Sequence, residues 1–220
     1  MIRLAIVVEG ETEEEFVKQV LASHLLGHDV IAHPMKPRAR SGPSGGTITV
    51  ERLAAQMTKL HRNFDNVTSL VDLYGFQGRR AHETVDDLEH RIEVIVDEKM
   101  AGGWNPSKVF AYVQKHEFEG LLFSEVGVFS SIPDIPAVSI ASLRTIRASF
   151  ATPEDIDDGP QTAPSKRIMN LIPSYRKRLY GPIIAEETGL TRIREECPRF
   201  SSWVSRLESL AQTGAGPTTA

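Results

Sequence analysis

Acidic side chains follow three apolar, strand-like runs of the chain, and oxygen ligands grouped in this way favour a hard divalent cation. Glu9 comes directly after the first run, which ends at Val8, and Asp72 ends the second. Glu117 and Glu119 come shortly after the third. Carboxylates that converge repel each other unless a cation neutralises them, and carboxylate oxygens suit Mg²⁺ or Mn²⁺. These four acids are therefore the predicted metal ligands.

Two further residues near these ligands are candidates for proton transfer. Glu13 could support the ligands or act as a general base, and His116 has an imidazole whose pKa normally lies near neutrality. The predicted catalytic set is Glu9, Glu13, Asp72 and His116. Each member also has a structural interpretation, as a helix cap, a turn former, a solvated helix residue or a packed histidine. The coincidence of acids at three strand ends favours the metal site over these separate explanations.

Strand-like and helical patterns alternate through the first half of the chain, which predicts a parallel sheet. Short β-rich apolar runs suit strands buried on both faces, and apolar stripes at helical spacing separate them. The predicted strands are Leu4 to Val8, Val30 to Met35, Val67 to Leu73 and Val109 to Gln114. The predicted helices are Thr12 to Leu26, Thr49 to Asn63 and His82 to Met100. This order predicts an α/β fold with a mainly parallel, Rossmann-like central sheet and helices on both faces. In such a fold we expect the ligand site beyond the carboxyl ends of the strands.

The second half of the chain predicts a short-helix region rather than more sheet. Prolines recur from position 133 to 198, and the segment Pro198 to Leu210 has the pattern of a closing helix. The acidic segment Glu154 to Pro164 and the glycine-rich segment Lys36 to Gly46 are expected to be exposed loops. We therefore expect an α/β core over residues 1–125, a helical extension packed on it over 126–210, and a flexible tail over 211–220.

Composition and charge narrow the chemistry without identifying it. Among the 220 residues Cys197 is the one cysteine, which excludes an internal disulfide and a cysteine-based zinc cluster. The apolar run at the start is too short for a signal peptide or a membrane span, so we expect a cytoplasmic protein. The net charge of −4 does not attract nucleic acid, so a polyanion would need metal ions or a local basic patch.

Basic residues near the predicted site are candidates for phosphate binding. The predicted substrate-binding residues are Arg79, Arg80, Lys166 and Arg167. The last two begin a basic block, ending at Arg178, that contains no acidic residue. Arginine and lysine pair well with phosphate oxygens, and Tyr175 and Tyr180 within the block could stack on bases. A solvated helix face that balances the acidic half of the protein is the structural alternative.

The segment from Val8 to Glu13 resembles the first motif of the Toprim (topoisomerase–primase) superfamily. Members use one glutamate there and an Asp-x-Asp pair after a later strand to hold magnesium and act on phosphodiester bonds. Glu9 corresponds to that glutamate and Asp72 to the first aspartate, whereas Tyr74 stands at the second. The chain is also similar to an uncharacterised bacterial Toprim-like family, a domain of unknown function, whose marks lie at residues 8–13, 72–76 and 116–123.

The resemblance implies a Mg- or Mn-dependent enzyme acting on phosphodiester bonds, specifically a nuclease, in which Glu117 or Glu119 could replace the missing aspartate. It further implies DNA or RNA as a partner. Because relatives with this core include nucleases that work beside ATPases in phage defence, it also implies a partner ATPase and a role in bacterial defence or DNA maintenance. Two alternatives stay open: a non-catalytic module that binds nucleic acid or a protein partner, and a small-molecule phosphohydrolase or nucleotidyl-transferring enzyme.

Overall fold

A sheet of four parallel strands, in the order β2-β1-β3-β4, organises the protein. The structure, a computed structural model, describes residues 1–37, 48–157, 159 and 161–213. The strands are β1 (Ile2–Val8), β2 (Val30–Met35), β3 (Asn66–Asp72) and β4 (Val113–Gln114). The predicted α/β fold with a parallel central sheet is confirmed. The neighbouring strands β1 and β3 bring the two residues that end them to one edge of the sheet.

Helices connect these strands and cover both faces of the sheet. Between β1 and β2 the chain forms one helical run made of α1 (Glu11–Phe16), a π-helical segment (Val17–Leu21) and α2 (Ala22–Leu26). The other connecting helices are α3 (Val50–Leu60) and α4 (Val85–Lys99). Alternate residues of β1 point to opposite faces, so Ile6 packs with the α1 side while Val7 packs with α3 and α4. No helix among the described residues is long and apolar enough to span a membrane.

The rest of the described chain is helical and packs on the α1 side of the sheet. The helices are α5 (Glu119–Leu122), α6 (Ala137–Ala148), α7 (Pro164–Leu171), α8 (Lys177–Thr188), α9 (Leu190–Glu196), α10 (Pro198–Glu208) and α11 (Leu210–Thr213), with 3₁₀ turns at Phe123–Ser131 and Pro153–Asp155. Trp203 on α10 donates its indole N–H to Thr68 Oγ1 at 3.1 Å and stacks on Tyr112 at a centroid distance of 4.6 Å. Residues 38–47 and 214–220, which include most of the predicted Lys36–Gly46 loop and of the predicted tail, lie outside the described residues.

The fourth strand is shorter than its apolar pattern predicts. Regular pairing with β3 covers only Val113 and Gln114, and an isolated bridge joins Val109 to Val67. Between them the hydroxyl of Ser69 accepts the N–H of Tyr112 at 3.0 Å and donates to its carbonyl at 2.9 Å. A side chain therefore replaces the backbone partner, and the ladder is interrupted although the chain direction continues.

The segment from Glu154 to Pro164 is not the exposed loop that its composition predicts. Glu154 is only 3% exposed, and Ile156 is fully buried. The two oxygens of the Glu154 carboxylate accept the N–H groups of Arg199 at 2.9 Å and Phe200 at 3.0 Å, in the first turn of α10. The prediction was wrong because this acid caps a helix that begins more than forty residues later, a contact that local composition does not reveal.

Two carboxylates of α4 bind the backbone at the outer strand of the sheet. Glu89 Oε1 accepts the N–H of Val113 at 2.6 Å, and Glu93 Oε1 accepts the N–H of Ala111 at 3.1 Å. Because β4 is the edge strand of the described sheet, these N–H groups have no neighbouring strand to bind among the described residues. The side chains of α4 therefore complete the hydrogen bonding that a fifth strand would provide.

Candidate functional site

The ends of β1 and β3 bring two of the predicted ligands into contact. Glu9 follows β1, Asp72 ends β3, and the N–H of Asp72 donates to Glu9 Oε2 at 3.3 Å. The loop after β3 then passes close to the same carboxylate. A Cβ added at Gly75 would lie 2.6 Å from Glu9 Oε1, so a larger residue would collide with the Glu9 side chain. Gly75 therefore allows the loop to close over Glu9.

A third carboxylate comes from the first turn of α1. Glu13 is buried, and its Oε2 accepts the N–H of Gly10 at 2.9 Å. The helix N-terminus favours this negative charge. Burial nevertheless raises the pKa of Glu13, and the neighbouring charge of Glu9 raises it further. Glu13 is thus held where it can take up a proton more readily than an ordinary glutamate.

The turn after β4 brings two more acids to the same edge. Phe118 lies between them, and its N–H donates to Asp72 Oδ1 at 2.9 Å, which ties the turn to the end of β3. Glu117 Oε2 accepts the N–H of Ser165 at 2.9 Å, while Glu119 begins α5 and is also buried. The strand-end acids Glu9, Glu13, Asp72, Glu117 and Glu119 are called the carboxylate cluster below.

Lys177, the first residue of α8, supplies positive charge to this cluster. Its Nζ lies 3.2 Å from Glu119 Oε2 and 3.7 Å from Glu117 Oε1. Burial alone would lower the pKa of Lys177, but the charges of Glu119 and Glu117 outweigh it and raise the pKa. Lys177 therefore stays protonated and offsets one of the negative charges.

The remaining charges crowd each other, as the pKa values show. Burial raises the pKa of Glu119 to about 7 although Lys177 opposes the shift. Burial also raises the pKa of Asp72 well above its usual value, and the charges of Glu13 and Glu9 add to this. The pKa of Glu9 is raised by burial in spite of its hydrogen bond from Asp72. Five acids around one lysine thus carry surplus negative charge that protons or a cation must offset.

The chemistry of these donors fits a hard divalent cation. One carboxylate oxygen of each of Glu9, Asp72 and Glu119 accepts a hydrogen bond, and the second accepts none from the described residues. No three of the cluster carboxylates in the described chain bring oxygens within 4.8 Å of one another. Binding an ion with metal–oxygen distances of about 2.0–2.1 Å would therefore draw these side chains together.

Tyr175 places a buried hydroxyl beside the cluster. The residue is 5% exposed, and its hydroxyl has no hydrogen-bond partner among the described residues. Burial and the charges of Glu119, Glu117 and Glu13 raise the pKa of Tyr175 well above its usual value, so the hydroxyl stays protonated. The expectation that Tyr175 stacks on bases is wrong, because its ring is buried and packs on Tyr180 at a centroid distance of 6.3 Å.

His116 lies apart from the carboxylate cluster. Its Nδ1 is 3.2 Å from Asp157 Oδ2, and its side chain lines a different cavity together with Leu73 and Arg199. Burial lowers the pKa of His116 although Asp157 opposes the shift. Its backbone has a positive φ of 65°, and its carbonyl accepts the N–H of Tyr74 at 3.0 Å. The structure therefore places this predicted catalytic residue in a turn beside Asp157.

The two predicted phosphate-binding residues on α7 differ from each other. Lys166 is exposed in the first turn of the helix, next to Ser165, whose N–H binds the cluster. Arg167 donates from Nε to the carbonyl of Thr162 at 2.6 Å and lies over the ring of Phe150. Lys166 therefore lies at the rim of the site, whereas Arg167 is engaged in packing.

The other predicted pair, Arg79 and Arg80, lies in the loop between β3 and α4. Arg79 donates from Nη2 to the carbonyl of Glu83 at 3.4 Å, and the backbone N–H of Arg80 donates to Glu83 Oε2 at 3.0 Å. Both side chains are exposed. This pair is organised around Glu83 and not around the carboxylate cluster.

Three residues of this site have contacts that the sequence does not predict. Gly75 lies in the segment 72–76 with no predicted role, Tyr175 is predicted to stack on bases, and Lys177 is one cation of the basic block that ends at Arg178. Their contacts depend on how α8 and the loop after β3 pack against α5 and β1. Gly75, three residues after Asp72, is the one local signal for such a contact, because a glycine at the end of a strand indicates that the backbone passes close to another group.

Fold and site together define an α/β protein with an acidic site at the carboxyl edge of a parallel sheet. The chain belongs to the DUF4276 family, described as a domain of unknown function, whose model matches residues 8–208. The matched range contains the whole site, from Glu9 to Lys177. No curated protein and no solved structure matches the chain.

This match corrects the assignment to the Toprim superfamily. The family model that covers the chain is DUF4276, and nothing in it indicates that superfamily. The position at which the Asp-x-Asp pair requires its second carboxylate holds Tyr74, which is 43% exposed. The resemblance of residues 8 to 13 was therefore a local strand–turn–helix similarity, and the function of the site has to be argued from its own geometry.

Proposed function

We propose that the protein is a Mg²⁺- or Mn²⁺-dependent hydrolase of phosphodiester bonds that acts on nucleic acid. The observation that carries this proposal is the carboxylate cluster, with five acids around Lys177 at the carboxyl edge of the sheet. Open parallel sheets bind their ligands at this edge. Because the cluster offers only oxygen ligands, it suits Mg²⁺ or Mn²⁺ better than a softer metal.

Each residue of the cluster has a part in this proposal. Glu9, Asp72, Glu119 and Glu117 would hold the ion. A bound ion of this kind polarises a phosphoryl oxygen and lowers the pKa of an attacking water. Glu13, whose pKa burial raises, would accept the proton of that water. The hydroxyl of Tyr175, which has no hydrogen-bond partner among the described residues, would donate a hydrogen bond to a phosphate oxygen of the substrate.

Exposed cations around the site support a polyanionic substrate. Lys166 on α7, and Arg176 and Arg178 at the start of α8, are exposed beside the half-buried Lys177. Arg178 bonds Glu11 at 2.9 Å, but both side chains are largely exposed, so phosphate can compete for it. These cations form a local basic rim on a protein of net charge −4, as binding to a nucleic-acid backbone requires.

A non-catalytic module that binds nucleic acid is the second candidate, and one observation favours it. Lys177 already contacts Glu119 and Glu117, and the cluster oxygens do not converge as tightly as a bound ion would need. In this alternative Lys177 is the permanent counter-ion, and the basic rim binds the phosphates of the nucleic acid without cleaving the chain.

The partner ATPase and the role in phage defence rested on the corrected resemblance and are not part of either proposal. The cytoplasmic location stays a prediction.

The deciding experiment measures metal binding and cleavage in matched variants. Calorimetric titration of Mg²⁺ and Mn²⁺ at neutral pH is applied to the wild type, to Asp72→Asn and to Glu14→Gln. Glu14 is the control because it neighbours Glu13 on α1 but pairs with Lys18 and Lys36 instead of joining the cluster. Single- and double-stranded DNA and RNA are then incubated with each protein, with metal or with chelator.

We expect saturable binding and cleavage in the wild type and in Glu14→Gln, and loss of both in Asp72→Asn. Full metal-dependent cleavage by Asp72→Asn or by Glu9→Ala would remove the proposed catalytic role of the cluster. Nucleic-acid binding without turnover under any metal would establish the non-catalytic alternative. Turnover of nucleotides but not of polynucleotides would redefine the substrate as a small molecule.

A further inference from the structure

Two histidines and a glutamate form a second group of ligand atoms that shares no residue with the carboxylate cluster. His24 lies on α2, His28 follows in the next turn, and Glu208 ends α10. We infer that these three residues bind a transition-metal ion of the Zn²⁺, Co²⁺ or Ni²⁺ class. Imidazole nitrogen with one carboxylate is a donor set that suits these ions, whereas Mg²⁺ prefers oxygen ligands alone.

The distances between the ligand atoms support this inference. His24 Nε2 lies 2.6 Å from Glu208 Oε1, and His28 Nε2 lies 3.8 Å from the same oxygen. One ligand atom from each residue lies within 4.8 Å of the other two. Around a tetrahedral ion with bonds of about 2.0–2.1 Å, neighbouring ligand atoms are about 3.4 Å apart. To reach this spacing, the distance from His24 Nε2 to Glu208 Oε1 must lengthen and the distance from His28 Nε2 to the same oxygen must shorten. Each change is less than about 1 Å, which rotation of the side chains allows.

The carboxylate of this group is already oriented by a third helix. Arg194 on α9 approaches Glu208 with Nη1 at 2.5 Å from Oε1 and with Nη2 at 3.1 Å from Oε2. Ligating carboxylates in metal sites are commonly held by such an outer hydrogen-bond donor, which fixes the direction of the free lone pairs. Arg194 would therefore act as a positioning residue while Glu208 contacts the ion.

A hydrogen-bond network without metal explains only part of this arrangement. His24, Glu208 and Arg194 form such a network by themselves. His28 lies beyond hydrogen-bond distance of the carboxylate, yet its ring stands 5.0 Å from that of His24 because four residues separate them in sequence. A metal ion gives His28 a function that the network does not. The side chains of His24 and His28 are 32% and 38% exposed, so an ion can reach them from solvent.

An ion at this site would tie the N-terminal helical run to the closing helix. The ligands come from elements about 180 residues apart in the chain. Because binding requires both elements in place, the ion would stabilise the folded state over the unfolded one. The expected readout is a rise in Tm with Zn²⁺ that does not depend on enzymatic activity.

The test compares metal binding to the full chain in four proteins: wild type, His28→Gln, Asp72→Asn and His90→Gln. After treatment with chelator, Zn²⁺ and Co²⁺ are titrated by calorimetry, the visible absorption of Co²⁺ is recorded, and Tm is measured with and without Zn²⁺. His28→Gln is the informative variant because His28 makes no hydrogen bond to Glu208 that the fold could lose. His90, an exposed histidine of α4, is the control.

We expect one tight site in the wild type, in Asp72→Asn and in His90→Gln, with a Co²⁺ absorption band and a raised Tm. In His28→Gln the Zn²⁺ affinity should fall by about ten-fold or more, with an unchanged Tm in chelator. Equal affinity in His28→Gln and wild type, or no saturable Zn²⁺ or Co²⁺ binding in the wild type, would overturn the inference. Loss in Asp72→Asn but not in His28→Gln would assign the ion to the carboxylate cluster instead.

Discussion

Two groups of buried or partly buried acids in this protein differ in how their charge is balanced. The framework acids are Glu83, Glu89 and Glu154. Glu154 caps α10 with both of its carboxylate oxygens. Glu89 Oε1 accepts the N–H of Val113 and lies 2.5 Å from Arg199 Nη2. Glu83 contacts the guanidinium of Arg91 through both of its carboxylate oxygens. Each of these acids is matched by donors that belong to the folded chain.

Each acid of the carboxylate cluster also accepts a hydrogen bond from the chain, but the cluster has one close cation, Lys177, among the described residues. Five acids share Lys177, and burial raises the pKa of Glu9, Glu13, Asp72 and Glu119, with the charges of neighbouring acids adding to each shift. Buried charge without a partner is costly, so a fold retains it only where something else gives it a use. Burial does not distinguish the two groups, because it also raises the pKa of Glu89 and Glu154; they differ in the number of acids that share one cation. Substitutions in the two groups should therefore have opposite effects on stability and on activity.

The largest expected effect is on turnover, from Asp72→Asn. Losing one preorganised electrostatic contact of an active site typically lowers kcat by roughly 10²- to 10³-fold, and we expect a loss of that size. In chelator the Tm of this variant should equal or exceed that of the wild type, because the substitution removes a repelled charge. Cleavage kinetics with Mn²⁺ and thermal melts in chelator test both parts. A lowered Tm with unchanged turnover would move Asp72 into the framework group.

The next effect is a pH dependence that comes from Glu119. Its pKa is about 7 in the folded protein against 4.5 for an ordinary glutamate, so the folded state holds a proton that the unfolded state has lost. This contribution to stability is fully present below pH 4.5 and is lost as pH rises through 7. At 1.36 kcal/mol per pKa unit, the loss is about 3 kcal/mol.

Urea unfolding at pH 5 and pH 8 without divalent ions measures this pH dependence in wild type and Glu119→Gln. The wild type should lose more free energy of unfolding than the variant between the two pH values. Because many other groups titrate in both proteins, the difference between their profiles is the quantity to compare. Parallel profiles would show that Glu119 is charged at neutral pH in the folded state, which would contradict its raised pKa.

A smaller effect of the opposite kind is expected from Glu154→Ala. The substitution leaves the buried N–H of Phe200 and the partly buried N–H of Arg199 without their acceptor. The buried donor accounts for most of the cost, which is about 1–3 kcal/mol of the free energy of unfolding. Metal binding by the cluster should not change. Asp86→Asn is the matched control, since Asp86 also contacts Arg199 but is exposed, and it should cost little. Equal stability of the two variants would contradict the framework role of Glu154.

The smallest effect is expected from Tyr175→Phe, which removes a hydroxyl that no described part of the chain hydrogen-bonds. Stability should stay the same or rise slightly, because no hydrogen bond is lost. Turnover should fall about ten-fold, as expected when one hydrogen bond to a charged group is removed. Tyr180→Phe on the neighbouring ring is the control. Lower stability with normal turnover would show that Tyr175 serves packing alone.

The ends of the strands were predictable because they depend on local pattern and on one rule of sheet geometry. Buried parallel strands are short apolar runs, and their carboxyl ends meet at one edge, so Glu9 and Asp72 could be placed together from sequence. Glu117 and Glu119 were predictable as neighbours of that edge, although not which of their oxygens would face Lys177. Helix α4 was predictable from its apolar stripe and from the capping box that Thr84 and Asp87 form.

The remaining features depend on contacts between distant segments. Arg176, Lys177 and Arg178 are consecutive basic residues, so the sequence does not show which of them contacts the cluster. The packing of α8 against α5 brings Lys177 to Glu119. Glu154 reads as a loop acid until α10 is placed over it. His116 follows a strand as the cluster acids do, but the left-handed turn of its backbone directs its ring to Asp157. Sequence periodicity describes a single element, so it does not determine these choices.

The carboxylates of α4 at the outer strand have a consequence for how copies of the protein associate. A free edge strand offers N–H groups that recruit strands from other molecules and so begin aggregation. Here Glu89 and Glu93 occupy the N–H groups of Val113 and Ala111, and they add negative charge where an incoming strand would have to lie. A strand added at the β4 edge of the sheet would therefore have to displace Glu89 and Glu93 from these N–H groups.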